Sequence, residues 1–266
     1  ADSLQGDFFI LDHERQTARV LYNQAGSKPI TIDFALLRGN SLEEDLRGRD
    51  FTLNAIAMDV EHPEVYIDPL QGGKAVLDKC IQVCSEYSFI DDPLRILRML
   101  RIALETGFSI QKQTLQLAKS SLYRLVNVSV ERVRDELFKM MELSKPDLAV
   151  RLLEQVGILK HLMPFIYSSC DRDELIKAHV EEAANTLAAA KILNSILIGR
   201  LPDELTGNLV LGQASLYLGQ YRYQLEEHFN QQLNPQRTHL ALFNLAALLT
   251  EVADGCLERE NLPTQA

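Results

Sequence analysis

The stretch Leu46–Asp59, LRGRDFTLNAIAMD, decides how the rest of the chain reads. Arg47, Arg49 and Asp50 stand directly before a run of small and apolar residues, Phe51, Leu53, Ala55, Ile56, Ala57 and Met58, that reads as a buried segment. Charged groups at the border of a core are costly unless each meets a partner. The partners to expect are a bound ligand or a neighbouring chain segment. The plainer alternative is a surface Arg/Asp pair capping a core helix.

Toward the amino terminus, FFILD (Phe8–Asp12), ARVLY (Ala18–Tyr22) and ITIDF (Ile30–Phe34) are short β-prone runs separated by polar segments. They predict a small antiparallel set. In ITIDF, Ile30, Ile32 and Phe34 share one face while Thr31 and Asp33 take the other. Asp33 is therefore a candidate metal-ligating acid, or a solvent-facing acid on an edge strand. RGNSLEEDLRG reads as a polar linker into the signature stretch.

Beyond Met58, EHPEVYIDPLQGGKAVLD reads as strand, turn and loop, punctuated by Pro69 and the Gly72-Gly73 pair. From there the pattern is helical. Asp91-Asp92-Pro93 supplies an N-cap acid and a first-turn proline, and Gly107 closes that helix. Further helices are predicted near Thr114–Leu122, from the N-cap Ser129 to about Met141, and from Asp147 to Val156 with a stop at Gly157. The remainder, Asp171 to Leu257, reads as helix with loops at LPDELTGN and NQQLNPQ.

Composition bounds the answer. With 266 residues, 46% of them apolar, the chain can fill one large core or two small ones. No run approaches the roughly 18 apolar residues that span a bilayer, so no membrane partner is expected and cytoplasm is the expected location. Cys80, Cys84, Cys170 and Cys256 are scattered and read as free thiols, and the six histidines form no ligand-like cluster. A net charge of −10 argues against a general nucleic-acid binder. The segment from Cys80 to Lys160 is close to charge balance whereas the part after it is acidic, so the middle of the chain is the better candidate for RNA contact.

Within that middle lies DDPLRILRMLRIALETG (91–107). At about 100° per residue, Arg95, Arg98 and Arg101 fall within an arc of about 120°, opposite Ile96, Leu97, Met99, Leu100, Ala103 and Leu104. This predicts a guanidinium stripe on a helix anchored by its other face. Such a stripe can meet a base edge and phosphates; the alternative is a solvated basic face.

Together these stretches resemble the class II tRNA nucleotidyltransferase (CCA-adding) and poly(A) polymerase family. LRGRDFTLNA is similar to its R-R-D-F-T-x-N-A signature, with Gly48 in place of the first Arg, and Asp91, Asp92 and Arg95 match its E-D-x-x-R base-reading motif, with Asp91 replacing Glu. ITIDFALLRGNSLEEDL (30–46), YIDPLQGGKAVLDKCIQV (66–83), VSVERVRDELFKMM (128–141) and AVRLLEQVGILKHLMPF (149–165) resemble the flanking motifs in order. In the third-motif match, Ala75, Val76 and Gln82 depart from the usual Asp, Leu and Arg. RTHLALFNLAALLTEVADG (237–255) resembles a metal-dependent phosphohydrolase segment, with Thr250 and Glu251 in place of its His and Asp.

The resemblance implies an α+β, predominantly helical fold: a partial polymerase-β-like nucleotidyltransferase head at 1–80, a helical neck for base and RNA recognition at 81–166, and a helical body, a degenerate remnant of an HD-like domain, at 167–266. It implies template-independent addition of C and A, or A alone, to the 3′ end of tRNA or another RNA, with ATP and in addition CTP as substrates. Asp50 would sense the ribose, Arg49 and Arg98 the triphosphate, Asp92 with Arg95 the base, and Asn54 and Arg101 would be further nucleotide contacts. Asp33 would be an accessory catalytic carboxylate beside Asp50, and Arg132 and Arg134 would face RNA. Mg2+ is implied, but the family's Asp-x-Asp strand that holds it has no counterpart here, so no metal ligand is expected within this chain. The expectation is a fragment of a longer protein, inactive alone; the alternative is a catalytically inactive RNA- or nucleotide-binding relative. No particular oligomeric state is implied.

Overall fold

The structure, a computed structural model, describes residues 7–13, 16–22, 30–164, 173–197, 209–234 and 237–257. Its architecture is α+β with helix dominant. The three β-prone runs form strands β1 (Asp7–Asp12), β2 (Thr17–Tyr22) and β3 (Ile30–Ala35) in an antiparallel sheet ordered β1-β2-β3. Register pairs Arg19 with Asp33 across β2 and β3. Val20 is buried, whereas Phe8, Phe9, Ile10, Ile30 and Phe34 stay about half exposed.

The linker predicted next is instead a helix, α1 (Leu42–Arg47). Ser41 Oγ accepts the Glu44 N–H, and Glu44 Oε2 accepts the Asn40 N–H, so the S-x-x-E run acts as a capping box that starts a helix. The signature follows as a tight turn rather than a helix. Phe51 makes a lone antiparallel bridge to Val83, and Thr52–Asn54 is a single 3-10 turn. Phe51 and Ala55 are fully buried, while Met58 is half exposed.

Two short strands, β4 (Ala57–Met58) and β5 (Tyr66–Ile67), pair antiparallel. Helix α2 (Gly72–Leu77) then packs against the signature turn so closely that a Cβ at Gly72 would overlap the Thr52 carbonyl oxygen. β6 (Cys80–Ile81) pairs in parallel with β7 (Ser109–Ile110). Between these lie α3 (Ser88–Asp91) and α4 (Arg95–Thr106). The single helix predicted from Asp91 is thus broken at Asp92, which is extended at φ −145°, ψ 97°. Pro93 is the cause, because its ring disfavours helical geometry in the preceding residue. Gly107 ends α4 in the left-handed region at φ 72°.

Four helices follow: α5 (Lys112–Ser121), α6 (Val130–Met141), α7 (Pro146–Val156) and α8 (Ile158–Leu162). α7 stops at Gly157 with φ 90°, as its sequence predicts. Among the described residues, the remainder is helical apart from a short hairpin: α9 (Asp173–Leu197), α10 (Leu209–Gly219), α11 (Arg222–Asn230), β8 (Gln232–Asn234), β9 (Arg237–Thr238) and α12 (His239–Leu257). The predicted loop LPDELTGN and Cys170 lie outside the described residues, as does the side chain of Cys256. One apolar cluster runs from Phe51 and Ile81 through Ile96, Leu97, Met99 and Leu100 of α4 to Met140, Val150, Leu153, Ala184 and Leu187. That cluster fixes α4 along its apolar side, and with it the signature turn.

Candidate functional site

Capping of α1 places Asp45 on its inner face, where it is 6% exposed. Its Oδ1 accepts the Arg38 N–H at 2.9 Å, and its Oδ2 accepts from Arg49 Nε and Nη2 at 3.2 and 3.1 Å. Arg49 is thereby held from behind while half of its side chain remains exposed. Asp50 is fixed by its own turn: Oδ1 accepts the Phe51 N–H and Asn54 Nδ2, and its carbonyl accepts from Cys84 N–H and Ser88 Oγ.

Asp50 Oδ2 lies 2.9 Å from Arg98 Nη2, an ion pair by distance. The contact is poorly aligned as a hydrogen bond, so Asp50 Oδ2 and Arg98 Nε are both buried without a hydrogen-bond partner. Buried polar atoms left so are uncommon and mark a place where something else binds or strain is held. Arg95 behaves differently. Its Nη2 donates to the Gly48 carbonyl at 2.7 Å, and its Nη1 to the Arg49 carbonyl and Ser88 Oγ, with only 7% of the residue exposed. Asp92 accepts the Leu94 N–H on Oδ1 and Arg132 Nη2 on Oδ2, the latter at 2.7 Å.

These groups surround one open cavity of about 950 Å3, walled by Arg38, Asp45, Arg49, Asp50, Asn54, Asp91, Asp92, Arg95, Arg98 and Arg132, with Thr17 and Ala35–Leu37 along its sheet side. The size suits a nucleotide-sized ligand, and the guanidiniums favour an anionic one. Beneath it, burial chiefly, and the Asp50 charge next, push the Cys84 thiol up to about 12, so this thiol is inert at neutral pH.

Of the residues expected from sequence, the structure brings Arg49, Asp50, Asn54, Asp92, Arg95, Arg98 and Arg132 to the cavity. Three are elsewhere. Arg101 turns into the neck, where Nε meets Glu136 at 2.8 Å and Nη1 meets Glu105 at 2.8 Å. Burial alone would lower the Arg101 pKa and raise that of Glu136; the hydrogen bonds between them, helped by Lys139 on Glu136, reverse both shifts. The expected stripe of three arginines on one open face is corrected accordingly, because α6 packs over the last of them. Arg134 pairs with Asp135. Asp33 is held by Arg19 Nε and Nη2 at 2.7 and 2.9 Å on an exposed part of the sheet, which holds its carboxyl below the usual range. Arg95 lines the cavity while its guanidinium also donates to the main chain of the signature at Gly48 and Arg49.

Sequence reasoning missed Arg38 and Asp45. Arg38 makes no side-chain ion pair among the described residues, and Asp45 was legible only through the capping box that turns it inward. Among the described residues, no group of three His, Cys, Asp or Glu side chains is placed to hold a metal ion. No helix among the described residues is long and apolar enough to cross a membrane.

Two family models match this chain. One, the poly A polymerase head domain, covers residues 10–82, and the other, described as "Probable RNA and SrmB-binding site of polymerase A", covers residues 107–170. The chain belongs to the poly(A) polymerase and CCA-adding tRNA nucleotidyltransferase family. Among curated relatives of that family, it is 41% identical to a CC-adding tRNA nucleotidyltransferase of Geobacter sulfurreducens over 143 residues, which is 54% of this chain and 32% of that protein. It is 40% identical to one of Halalkalibacterium halodurans over 139 residues, 52% of this chain and 35% of that protein. The matches span about a third of the length of these relatives. Among solved structures, the fold matches a Thermotoga maritima CCA-adding enzyme complexed with tRNA, with a TM-score of 0.61 at 21% identity over 100% of this chain and 71% of that one. A CCA-adding enzyme in complex with CTP gives 0.55 at 21% identity, over 97% of this chain and 68% of that one.

Proposed function

We propose that this chain is the nucleotide-selecting part of a template-independent nucleotidyltransferase that adds C and A, or A alone, to the 3′ end of tRNA or another RNA. The observation that carries this is the convergence of the signature turn and the start of α4 on one cavity, where Asp50 and Arg98 form an ion pair yet Asp50 Oδ2 and Arg98 Nε have no hydrogen-bond partner. Arg49 and Arg98 meet the triphosphate, since a guanidinium pairs well with phosphate oxygens. Asp50, with Asn54 beside it, takes the ribose hydroxyls, for which a carboxylate oxygen is the natural acceptor. Asp92 faces the base, while Arg95 holds Gly48 and Arg49 in place through their carbonyls. ATP is the proposed substrate, with CTP as a second, and magnesium is supplied by groups other than the described residues. Domain limits at 1–80, 81–166 and 167–266 belong to the same proposal, as does contact of the neck with RNA through Arg134.

Support comes from the family, from the names of the relatives just given, and from the chemistry of the cavity. The test uses the full-length protein: incorporation of labelled ATP and CTP into tRNA lacking its last three nucleotides, with GTP and UTP as competitors, before and after Asp92→Ala. Expected is incorporation of ATP or CTP by the native protein and loss of discrimination in the variant. A native protein that incorporates nothing, or a variant that still refuses GTP and UTP, overturns the reading.

A further inference from the structure

Helix α1 and the turn just past it carry two acid–arginine pairs at the same i,i+4 spacing, Glu43–Arg47 and Asp45–Arg49. The first lies at the surface, with both side chains more than half exposed, and such a pair contributes little. The second has its acid inside. Asp45 is buried and meets three donors: the Arg38 N–H on Oδ1, and Arg49 Nε and Nη2 on Oδ2. A buried carboxylate is costly unless its charge is matched, so Arg49 is the cation that Asp45 requires. Arg49 in turn is half exposed, and without a partner its long side chain would sample many rotamers. Asp45 engages only its Nε side. Among the described residues Arg49 Nη1 has no hydrogen-bond partner, which leaves toward the cavity the Nη1–Nη2 fork that suits two phosphate oxygens at once. The second oxygen of Asp45 fastens the main chain of residues 35–38, which line the same cavity.

We propose that Asp45 is the positioning residue for the phosphate end of the cavity: through its two oxygens it aims the free fork of Arg49 at the triphosphate and holds the wall at residues 35–38 in register with it. This rests on reading the cavity as a nucleotide site. Asp45 itself touches no ligand in this role. A triphosphate meets a guanidinium whose rotamer is already chosen, so the ordering of a long side chain is not charged to binding. Charge and position pull in opposite directions here. A carboxylate behind Arg49 repels phosphate, so on charge alone its removal would tighten ATP. If position is what Asp45 supplies, its removal weakens ATP instead. The sign of the effect therefore separates the two accounts. The shared carboxylate also links Arg49 to the segment that leads out of β3, so a shift of that segment moves the cation with it.

The test is titration of the full-length protein with ATP and with adenosine, which lacks the phosphates, in Asp45→Asn, Arg49→Ala and the double variant. Arg49→Ala is expected to weaken ATP about ten- to hundredfold, the worth of one charge-assisted contact. Asp45→Asn, of the same shape but without the charge, should weaken ATP about tenfold and adenosine less than about twofold. With Arg49 already replaced, Asp45→Asn should cost ATP less than about threefold, because the group it positions is gone. Asp45→Glu keeps the carboxylate, displaced by one methylene, and should show the same split between ATP and adenosine in milder form if the asparagine variant folds poorly. ATP binding that tightens or stays unchanged in Asp45→Asn overturns the proposal. So do equal losses for ATP and adenosine, which would mean that Asp45 only shapes the fold, and losses from Asp45 and Arg49 that simply add. A native protein that binds no ATP removes the nucleotide reading itself; ATP binding that ignores Asp45 removes only this assignment.

Discussion

Helix α4 carries two carboxylate–guanidinium pairs three residues apart, and they are built in opposite ways. In the neck, Glu136 receives Arg101 on one oxygen and Lys139 on the other, and Arg101 gives its remaining fork to Glu105, so polar capacity is matched. At the cavity, Asp50 and Arg98 are at ion-pair distance, yet each retains a buried atom with no hydrogen-bond partner. The first arrangement is complete without a ligand. The second leaves hydrogen-bonding capacity unused within the protein. Position on the helical wheel does not separate them, since Arg98 and Arg101 sit on adjoining parts of one arc; what separates them is what the rest of the chain brings opposite each.

Removing one side of the complete pair should have the largest effect on the protein. Arg101→Ala leaves Glu136 buried without its main partner, which destabilises by about 3 kcal/mol. A urea unfolding midpoint reads this directly. Replacing both partners, Arg101→Met with Glu136→Leu, should recover most of that loss, because an apolar pair of similar volume removes the burial cost of both charges. If the single change is silent, the neck pair is not structural and the contrast with the cavity fails.

Arg98→Ala is next in size and should act on a different quantity. Unfolding should shift by less than about 1 kcal/mol, because the ion pair it removes is partly exposed and poorly aligned. ATP affinity should fall by about 2 kcal/mol, the loss of one guanidinium contact to phosphate. A change that instead destabilises the fold and leaves ATP affinity intact would put Arg98 in the same class as Arg101.

How far these differences were legible in the sequence depends on range. Strand runs at Phe8, Ala18 and Ile30, and helix ends at Gly107 and Gly157, follow from local rules and stand where the residues place them. Local signals also explain two misreadings. Ser41 and Glu44 carry a capping box inside what reads as linker, and Pro93 forces Asp92 out of the helix that its two acids suggest. Long-range pairing is another matter. Nothing within α4 says that Glu136, 35 residues on, will claim Arg101, or that Gly48 and Arg49 carbonyls will claim Arg95. The signature was legible as a site because charges beside an apolar run need partners, but the identity of those partners is a property of the fold.

The smallest effect is in pH. Glu136 is drawn down from 4.5, because hydrogen bonds from Arg101 and Lys139 outweigh burial, which alone would raise it. In the unfolded chain the same carboxyl titrates near its ordinary value, so the unfolded state takes up the proton first as pH falls. The stabilisation from Glu136 is therefore fully present above pH about 4.5 and is lost as pH drops through the lowered folded value. Glu136→Gln keeps the shape and cannot titrate, so the gap in unfolding midpoint between native and variant should close on going from pH 6 toward pH 3. Asp33, also drawn down by Arg19, titrates in both proteins and cancels from the difference. A gap that widens with acid would mean that Glu136 is held protonated in the fold, and the neck pair would then be, like the pair at the cavity, incomplete.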